Sequence, residues 1–505
     1  MYNYGFRSYA SKEDFFERSQ TFWNPGKTQF WKDFGIDLVI DRREEYFLYD
    51  ISGKRLIDVH LNGGTYNLGH RNPELIATLI EAMKRFDIGN HHFPSLARTA
   101  LAEELAKVCP GELQYTIYGS AGGEAIDIAI KTARHARQRR KIVSIIKAYH
   151  GHTGLAVCTG DQRFSKLFLS EGAPQDFAQV PFNDLDVMER ALKGRDAAAV
   201  LMETIPATYG FPMPKEGYLP GVKRLCEKYG ALYIADEVQT GLMRTGQMWG
   251  ITKYGVEPDI LVTAKGIGGG IYPLACAVVG KRHAGWLKQD GFGHMSTTGG
   301  AELGCVVALK VLEICQRPEV RSFVQYISEL IGAGLREIQA LYRDFFIGIR
   351  QNGLVMGLEF DHPRGATYVM RALYRNGVWA IFSSLDPRVL QFKPGILMPR
   401  ELCEELLDRV EVSIGEARRE VRGWRKRARP ENARRSPAAQ RAQRSAELVT
   451  EVGHAVGRNR LKQARDEKTG ALSGSDHPRG AAGGSSVSGD EDLGRNSTGA
   501  RTWQN

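Results

Sequence analysis

Between residues 114 and 279 the chain alternates short apolar runs with amphipathic helical patterns, and this alternation limits the fold more than any other feature. The runs fall at 114–118, 142–146, 198–202, 231–235, 259–263 and 274–279. Most are apolar at nearly every position rather than every second one, as expected of strands covered on both faces in a parallel sheet. Between them, 124–137 carries apolar residues at 125, 126, 129, 130 and 133 on one helical face. A second helical pattern, 221–228, stops at Gly230, a residue suited to the left-handed turn that ends helices. The pattern predicts an α/β domain built on a mainly parallel sheet.

The flanks read differently. Residues 1–65 form a mixed segment with a hairpin turning at Ser52–Gly53. Beyond Leu303 come two long amphipathic helices, a strand pair turning at Asn352–Gly353, a helix over 368–376 ending at Gly377, and a last helix over 400–418. This predicts a large domain over 66–305 and a smaller α+β domain over 306–420 that the N-terminal segment joins. Residues 421–505 are rich in Arg, Ala, Gly and Ser, with Trp424 and Trp503 their only aromatics, and a disordered tail is expected.

Charge and composition exclude several functions. The net charge of +10 sits in that tail, which holds 17 Lys/Arg against 9 Asp/Glu and leaves 51 against 49 in residues 1–420. Nucleic acid is therefore not the expected partner of the folded part. No apolar run of about 18 residues occurs to span a bilayer, and the N-terminus lacks the basic-then-apolar pattern of a secretory signal. The seven cysteines (109, 158, 226, 276, 305, 315 and 403) are scattered without CxxC spacing. A cytoplasmic enzyme with reduced thiols is expected. Gly26-Lys27-Thr28 ends like a phosphate loop, but Thr21 stands where that pattern needs glycine. The run 266–270 lacks dinucleotide-fingerprint spacing, and no carboxylate or cysteine lies at ligand spacing from His91 and His92 or from His150 and His152. No metal is expected.

What stands out is a set of polar residues at the carboxyl ends of the strands, where open α/β sheets bind their ligands. YGSAGGEA (118–125) turns a strand directly into a helix, and Gly122 and Gly123 let an anion approach the free N–H groups there. Tyr149 and Glu203 end two further strands. In ADEVQTGLMRTG (235–246), Asp236 follows an apolar strand, where a carboxylate needs either an ion pair, with Arg244 for instance, or a cationic ligand. In TAKGIGGG (263–270), Lys265 closes a strand, and the glycines after it leave room for a bulky ligand. A lysine in a partly dry site loses proton affinity and becomes nucleophilic. A phosphate site, a carboxylate for a pyridinium and a lysine for an imine together describe pyridoxal 5′-phosphate.

The order and wording of these motifs resemble the class III pyridoxal-phosphate aminotransferases of fold type I. The resemblance spans roughly residues 35–415 and centres on ADEVQTG, RTG and PDILVTAKGIGGG. It implies a large domain with a mainly parallel seven-stranded sheet and a smaller α+β domain. It also implies that Lys265 is the Schiff-base lysine and Asp236 the partner of the pyridine nitrogen. By the same resemblance Val238 and Tyr149 cover the two ring faces, Gln239 reaches the ring oxygen, and Gly122 and Gly123 hold the phosphate. Thr297, in STTGGAEL, would reach the phosphate of a neighbouring subunit, which implies a homodimer with shared sites. Two departures are local: Ala121 stands where many relatives have serine, and Ala301-Glu302 replaces the usual asparagine-proline.

The implied reaction is transamination between an amine donor and a carbonyl acceptor by a ping-pong route. An aminomutase, a racemase, a decarboxylase or a non-catalytic scaffold would share the same motifs. Two further departures bear on substrate. The arginine that clamps an α-carboxylate in many relatives is Gln391 here, and a gating glutamate is Thr208. A neutral glutamine cannot replace a bidentate guanidinium, so the main substrate is expected to lack an α-carboxylate at that place: an amino sugar, a polyamine or another ω-amine. Lys393 and Arg388 are nearby cations that would restore a charge. His92 and Phe93 are candidates for the substrate side of the site.

Overall fold

The computed structural model describes residues 2–4 and 7–428, with side chains from residue 8 to residue 423. All six apolar runs form strands: Leu113–Gly119, Lys141–Ile145, Ala197–Glu203, Leu232–Asp236, Ile260–Thr263 and Ala275–Gly280. A seventh, Phe177–Val180, pairs with Lys141–Ile145 at the sheet edge. It was not anticipated from sequence, because it is four residues long and Gln179 interrupts its apolar character. Across the sheet the strands begin at residues 113, 275, 260, 232, 197, 141 and 177 in turn. Ala275–Gly280 runs antiparallel to both neighbours, and the other pairings are parallel.

Both faces of the central strands are covered, which is why those strands are apolar at nearly every position. Leu201, Ile234 and Val262 pack on one face against Ile126, Ala129, Ile130 and Ala133 of the Gly122–Arg137 helix. Their chain neighbours Val200, Tyr233 and Leu261 point the other way, toward Met188, Leu192, Leu219 and Val222. Each such side chain contributes about 1.5–3 kcal/mol by leaving water. The second covering helix, Tyr218–Tyr229, ends on Gly230 at φ +73°, as the sequence predicts.

Around this core, Ile40–Glu44, Phe47–Asp50 and Arg55–Asp58 form an antiparallel set whose turn holds Gly53 at φ +86°. The distant Val378–Trp379 adds to it in parallel beside Arg55–Asp58, so N- and C-terminal segments share one sheet. A further four-stranded sheet orders Phe346–Asn352, Val355–Phe360, Asp386–Phe392 and Ile381–Ser383. Gly353 makes its first turn at φ +60°. The last helix corrects the expected boundary: it runs from Arg400 to Ala428 instead of stopping at Arg418, so a disordered tail does not begin at 421. Val421 is buried, and Arg418 and Arg422 both bind Asp344, which extends the helix past the point where composition changes. The remainder of the expected tail, 429–505, lies outside the described residues. No helix among the described residues is long and apolar enough to cross a membrane.

Candidate active site

The carboxyl ends of the sheet open into a cavity of about 460 Å³ lined by Gly122, Gly123, Tyr149, His150, Glu203, Asp236, Val238, Gln239 and Lys265, among others. Register brings the acids together, since Asp236 and Glu203 are direct partners on adjacent parallel strands. Lys265 follows its strand in a left-handed conformation, φ +49°, which costs energy for a residue with a Cβ and recurs at functional sites. Its ammonium makes no hydrogen bond or ion pair among the described residues. Burial lowers its proton affinity, against the opposing pull of Asp236 and Glu203.

Asp236 is held from two sides. Oδ2 lies 2.7 Å from His150 Nδ1, and Oδ1 accepts from the Val238 N–H at 3.1 Å. The ion pair with Arg244 considered from sequence does not form. Arg244 is buried elsewhere, donating to Pro394 O at 3.3 Å, and desolvation pushes its guanidinium down to about 10. Glu203 accepts from Tyr149 N at 3.1 Å and Ala207 N at 3.0 Å. Burial pushes its carboxyl up to about 7, with Asp236 raising it further and His150 opposing. Glu237, next to Asp236, points away from the cavity and ties the Gly250 and Ile251 N–H groups at 2.7 and 2.9 Å.

At the start of the Gly122–Arg137 helix no side chain caps the first N–H groups. Only the second glycine there is a steric requirement: a Cβ on Gly123 would meet Thr153 Oγ1 at 2.6 Å, whereas one on Gly122 would meet nothing closer than 3.4 Å; in the facing loop a Cβ on Gly151 would meet Gly123 Cα at 2.7 Å. The glycines after Lys265 act differently from the sequence expectation. A Cβ on Gly269 would strike Leu75 at 2.3 Å and one on Gly270 would strike Tyr66 at 2.2 Å. They make room for protein, and Tyr66 itself lines the cavity.

Other candidates lie outside the cavity of their own chain. His92 and Phe93 are exposed and do not line that cavity, with His92 6.0 Å from the Phe292 ring. Thr297 is exposed on a neighbouring loop. Gln391 is buried and does not line the cavity, donating to Ala207 O at 3.2 Å and accepting from Lys393 Nζ at 2.6 Å. Thr208 donates to Lys147 O at 3.2 Å, and Arg388 pairs with Asp386 and Glu359. Sequence reasoning set His150 aside as a metal ligand without seeing its contact with Asp236, and it missed the cavity-lining Thr65 and Tyr66. The left-handed Gly63 and Gly64 just before them, in HLNGGTY, were the available signal.

A family model for class III aminotransferases matches residues 32–414. An uncharacterized aminotransferase of Archaeoglobus fulgidus is 42% identical over 419 residues, covering 83% of this chain and 98% of that protein. The putrescine aminotransferase of Pectobacterium atrosepticum is 30% identical over 369 residues, covering 71% of this chain and 78% of its own length. Among solved structures, the ornithine aminotransferase of Toxoplasma gondii superposes with a TM-score of 0.73 at 24% identity, over 81% of this chain and 96% of that one, and shows the shared fold. With a match of this extent, the chain belongs to the class III aminotransferase family and is a transaminase of fold type I.

Proposed function

We propose that the cavity at the strand ends holds the family's cofactor, pyridoxal 5′-phosphate, with Lys265 as its covalent anchor and Asp236 facing its ring nitrogen. The residues present fit such a group. Gly122 and Gly123 offer uncapped N–H groups to a phosphate, Gln239 Oε1 is buried without a partner, and Lys265 is desolvated and unpaired. Tyr149 and Val238 would cover the two ring faces, and Glu203 would hold Tyr149 through its backbone N–H. When bound, pyridoxal phosphate supplies an aldehyde that condenses with amines and an electron-withdrawing ring. His150 and the Val238 N–H hold the Asp236 carboxyl group at one place in the cavity. Lys265 Nζ, with its lowered proton affinity, is suited to take a proton from the substrate carbon and return it. The observation that carries this reading is the convergence of that lysine, the paired acids and the glycine-lined helix start in one cavity.

The amine donor is proposed to lack an α-carboxylate near Gln391, as ω-amines, polyamines and amino sugars do. Both polar ends of Gln391 are occupied by protein partners, and Thr208 supplies no gating acid. The acceptor is a keto acid, as in aminotransferases generally. A homodimer is proposed from the exposed apolar residues Ile88, Phe93, Leu96, Phe292 and Met295, which flank the loop carrying Thr297. Soluble monomers seldom leave such a cluster uncovered. The test is a donor screen with a keto acid acceptor on wild type and Lys265→Ala. Turnover with ω-amines in the wild type and none in the variant is expected. A preference for α-amino acids would overturn the donor assignment, and full turnover by the variant would overturn the role of Lys265.

A further inference from the structure

From the end of the Arg55–Asp58 strand to His70 the chain makes a loop that runs beside the Lys265 side chain. Its two ends are pinned next to each other: the Asp58 N–H donates to Tyr46 O at 2.8 Å, and Glu45 and His70 exchange both of their backbone hydrogen bonds. The side chains close the ring, with His70 Nε2 2.9 Å from Asp58 Oδ2 and both residues buried. Asp58 Oδ1 then accepts from the His60 and Leu61 N–H groups at 2.9 and 2.8 Å. One carboxyl group therefore holds the closing histidine and the first turn of the loop together.

The turn that it holds is strained. Leu61, Asn62, Gly63 and Gly64 are consecutive left-handed residues, at φ +50°, +48°, +72° and +96°. Such backbone is free for glycine, costs energy at leucine and, less, at asparagine, and persists only where its surroundings over-determine it. The result is a close approach to the site. A Cβ on Gly63 would stand 3.2 Å from Lys265 Cε and 3.7 Å from Nζ, and one on Gly64 would stand 3.1 Å from Arg244 Nε. The next two residues, Thr65 and Tyr66, line the cavity, which Asp58 and His70 do not.

We propose that Asp58 and His70 are positioning residues: by clamping 60–66 in this conformation they confine the Lys265 side chain and hold Nζ at the cavity where it reacts. The assignment rests on the role of Lys265 proposed above and extends it to two residues that act through the backbone between them.

Amide hydrogen exchange of the cofactor-free protein and two cofactor measurements test this. In Asp58→Ala the peptide covering 60–66 should exchange roughly 10-fold faster or more, with peptides of the seven-stranded sheet within about twofold of wild type. The rate at which added pyridoxal phosphate becomes borohydride-reducible onto Lys265 should fall roughly 10-fold or more, because a misplaced reacting group loses its pre-paid orientation. Binding of 4-deoxypyridoxine 5′-phosphate, which has no aldehyde, should stay within about threefold, since the phosphate would still meet the uncapped helix start at Gly122. Asp58→Asn keeps an oxygen for the two N–H groups and should recover most of the attachment rate, while His70→Leu should slow attachment as Asp58→Ala does. Equal losses of attachment rate and deoxypyridoxine phosphate binding would make the pair structural only and overturn the proposal, as would unchanged exchange over 60–66. If either truncation does not fold, Asn62→Val is read in the same way, because its side chain is exposed and a β-branched residue there strains the same turn. Attachment to another lysine in the wild type would defeat the anchor role of Lys265 and this proposal with it. Attachment to Lys265 at an unchanged rate in the variants defeats this proposal alone.

Discussion

The two oxygens of Asp236 are engaged differently, Oδ2 by His150 and Oδ1 by the Val238 N–H, and this fixes the position of the carboxylate. Asp236→Asn keeps the shape but removes the charge. A charge-assisted hydrogen bond contributes about 1.5–3 kcal/mol, so kcat/KM should fall roughly 10- to 150-fold. Steady-state kinetics of the cofactor-saturated variant checks this, and a loss below threefold contradicts the assignment. Glu203 offers a pH test. Its carboxyl is raised to about 7 in the fold from an ordinary 4.5, so the folded state holds the proton more tightly than the unfolded chain. Stability of the cofactor-free protein should therefore fall as pH rises between about 4.5 and about 7. Glu203→Gln removes that contribution. Its melting temperature relative to wild type should improve from pH 5 to pH 8, and a relative decline over that interval would contradict the burial argument.

At the level of elements, the strand ends position the chemistry, and they were legible because a doubly covered strand needs a continuous apolar run that stops where polar function begins. Glu203, Asp236 and Lys265 all stand at such stops. The reversed direction of Ala275–Gly280 was not legible, since an apolar run covered on both faces looks the same in either direction. Phe177–Val180 was missed because an edge strand is only partly buried and needs fewer apolar residues. The glycine run at 268–270 was visible, but its partners Leu75 and Tyr66 are distant in sequence, so its packing role could not be read. The helix start at Gly123 gives an element-scale prediction. In Gly123→Ala the new Cβ must displace Thr153 from 2.6 Å. Overpacking costs about 1–3 kcal/mol, so cofactor affinity should drop roughly 5- to 150-fold. Equilibrium dialysis against pyridoxal phosphate measures it, and unchanged affinity would remove the cradle argument.

For the whole molecule, composition located the charge correctly but drew the tail boundary too early, because the arginines that end the last helix also hold it to Asp344. Truncation after Ala428 should leave kcat/KM within about twofold, since the proposed site residues all lie between positions 58 and 391; a larger loss would assign the removed segment a part in function. The exposed cluster around Phe93 and Phe292 should be covered by a second copy. A Phe93→Glu, Phe292→Glu double variant should shift the mass seen by light scattering from dimer to monomer, and a wild type that is already monomeric contradicts the shared-site reading. The central claim is the covalent anchor at Lys265. Borohydride reduction of the cofactor-loaded protein followed by peptide mass mapping tests it most directly. A pyridoxyl phosphate adduct on Lys265 is predicted; an adduct on another lysine, or none in protein that retains the cofactor, would contradict it.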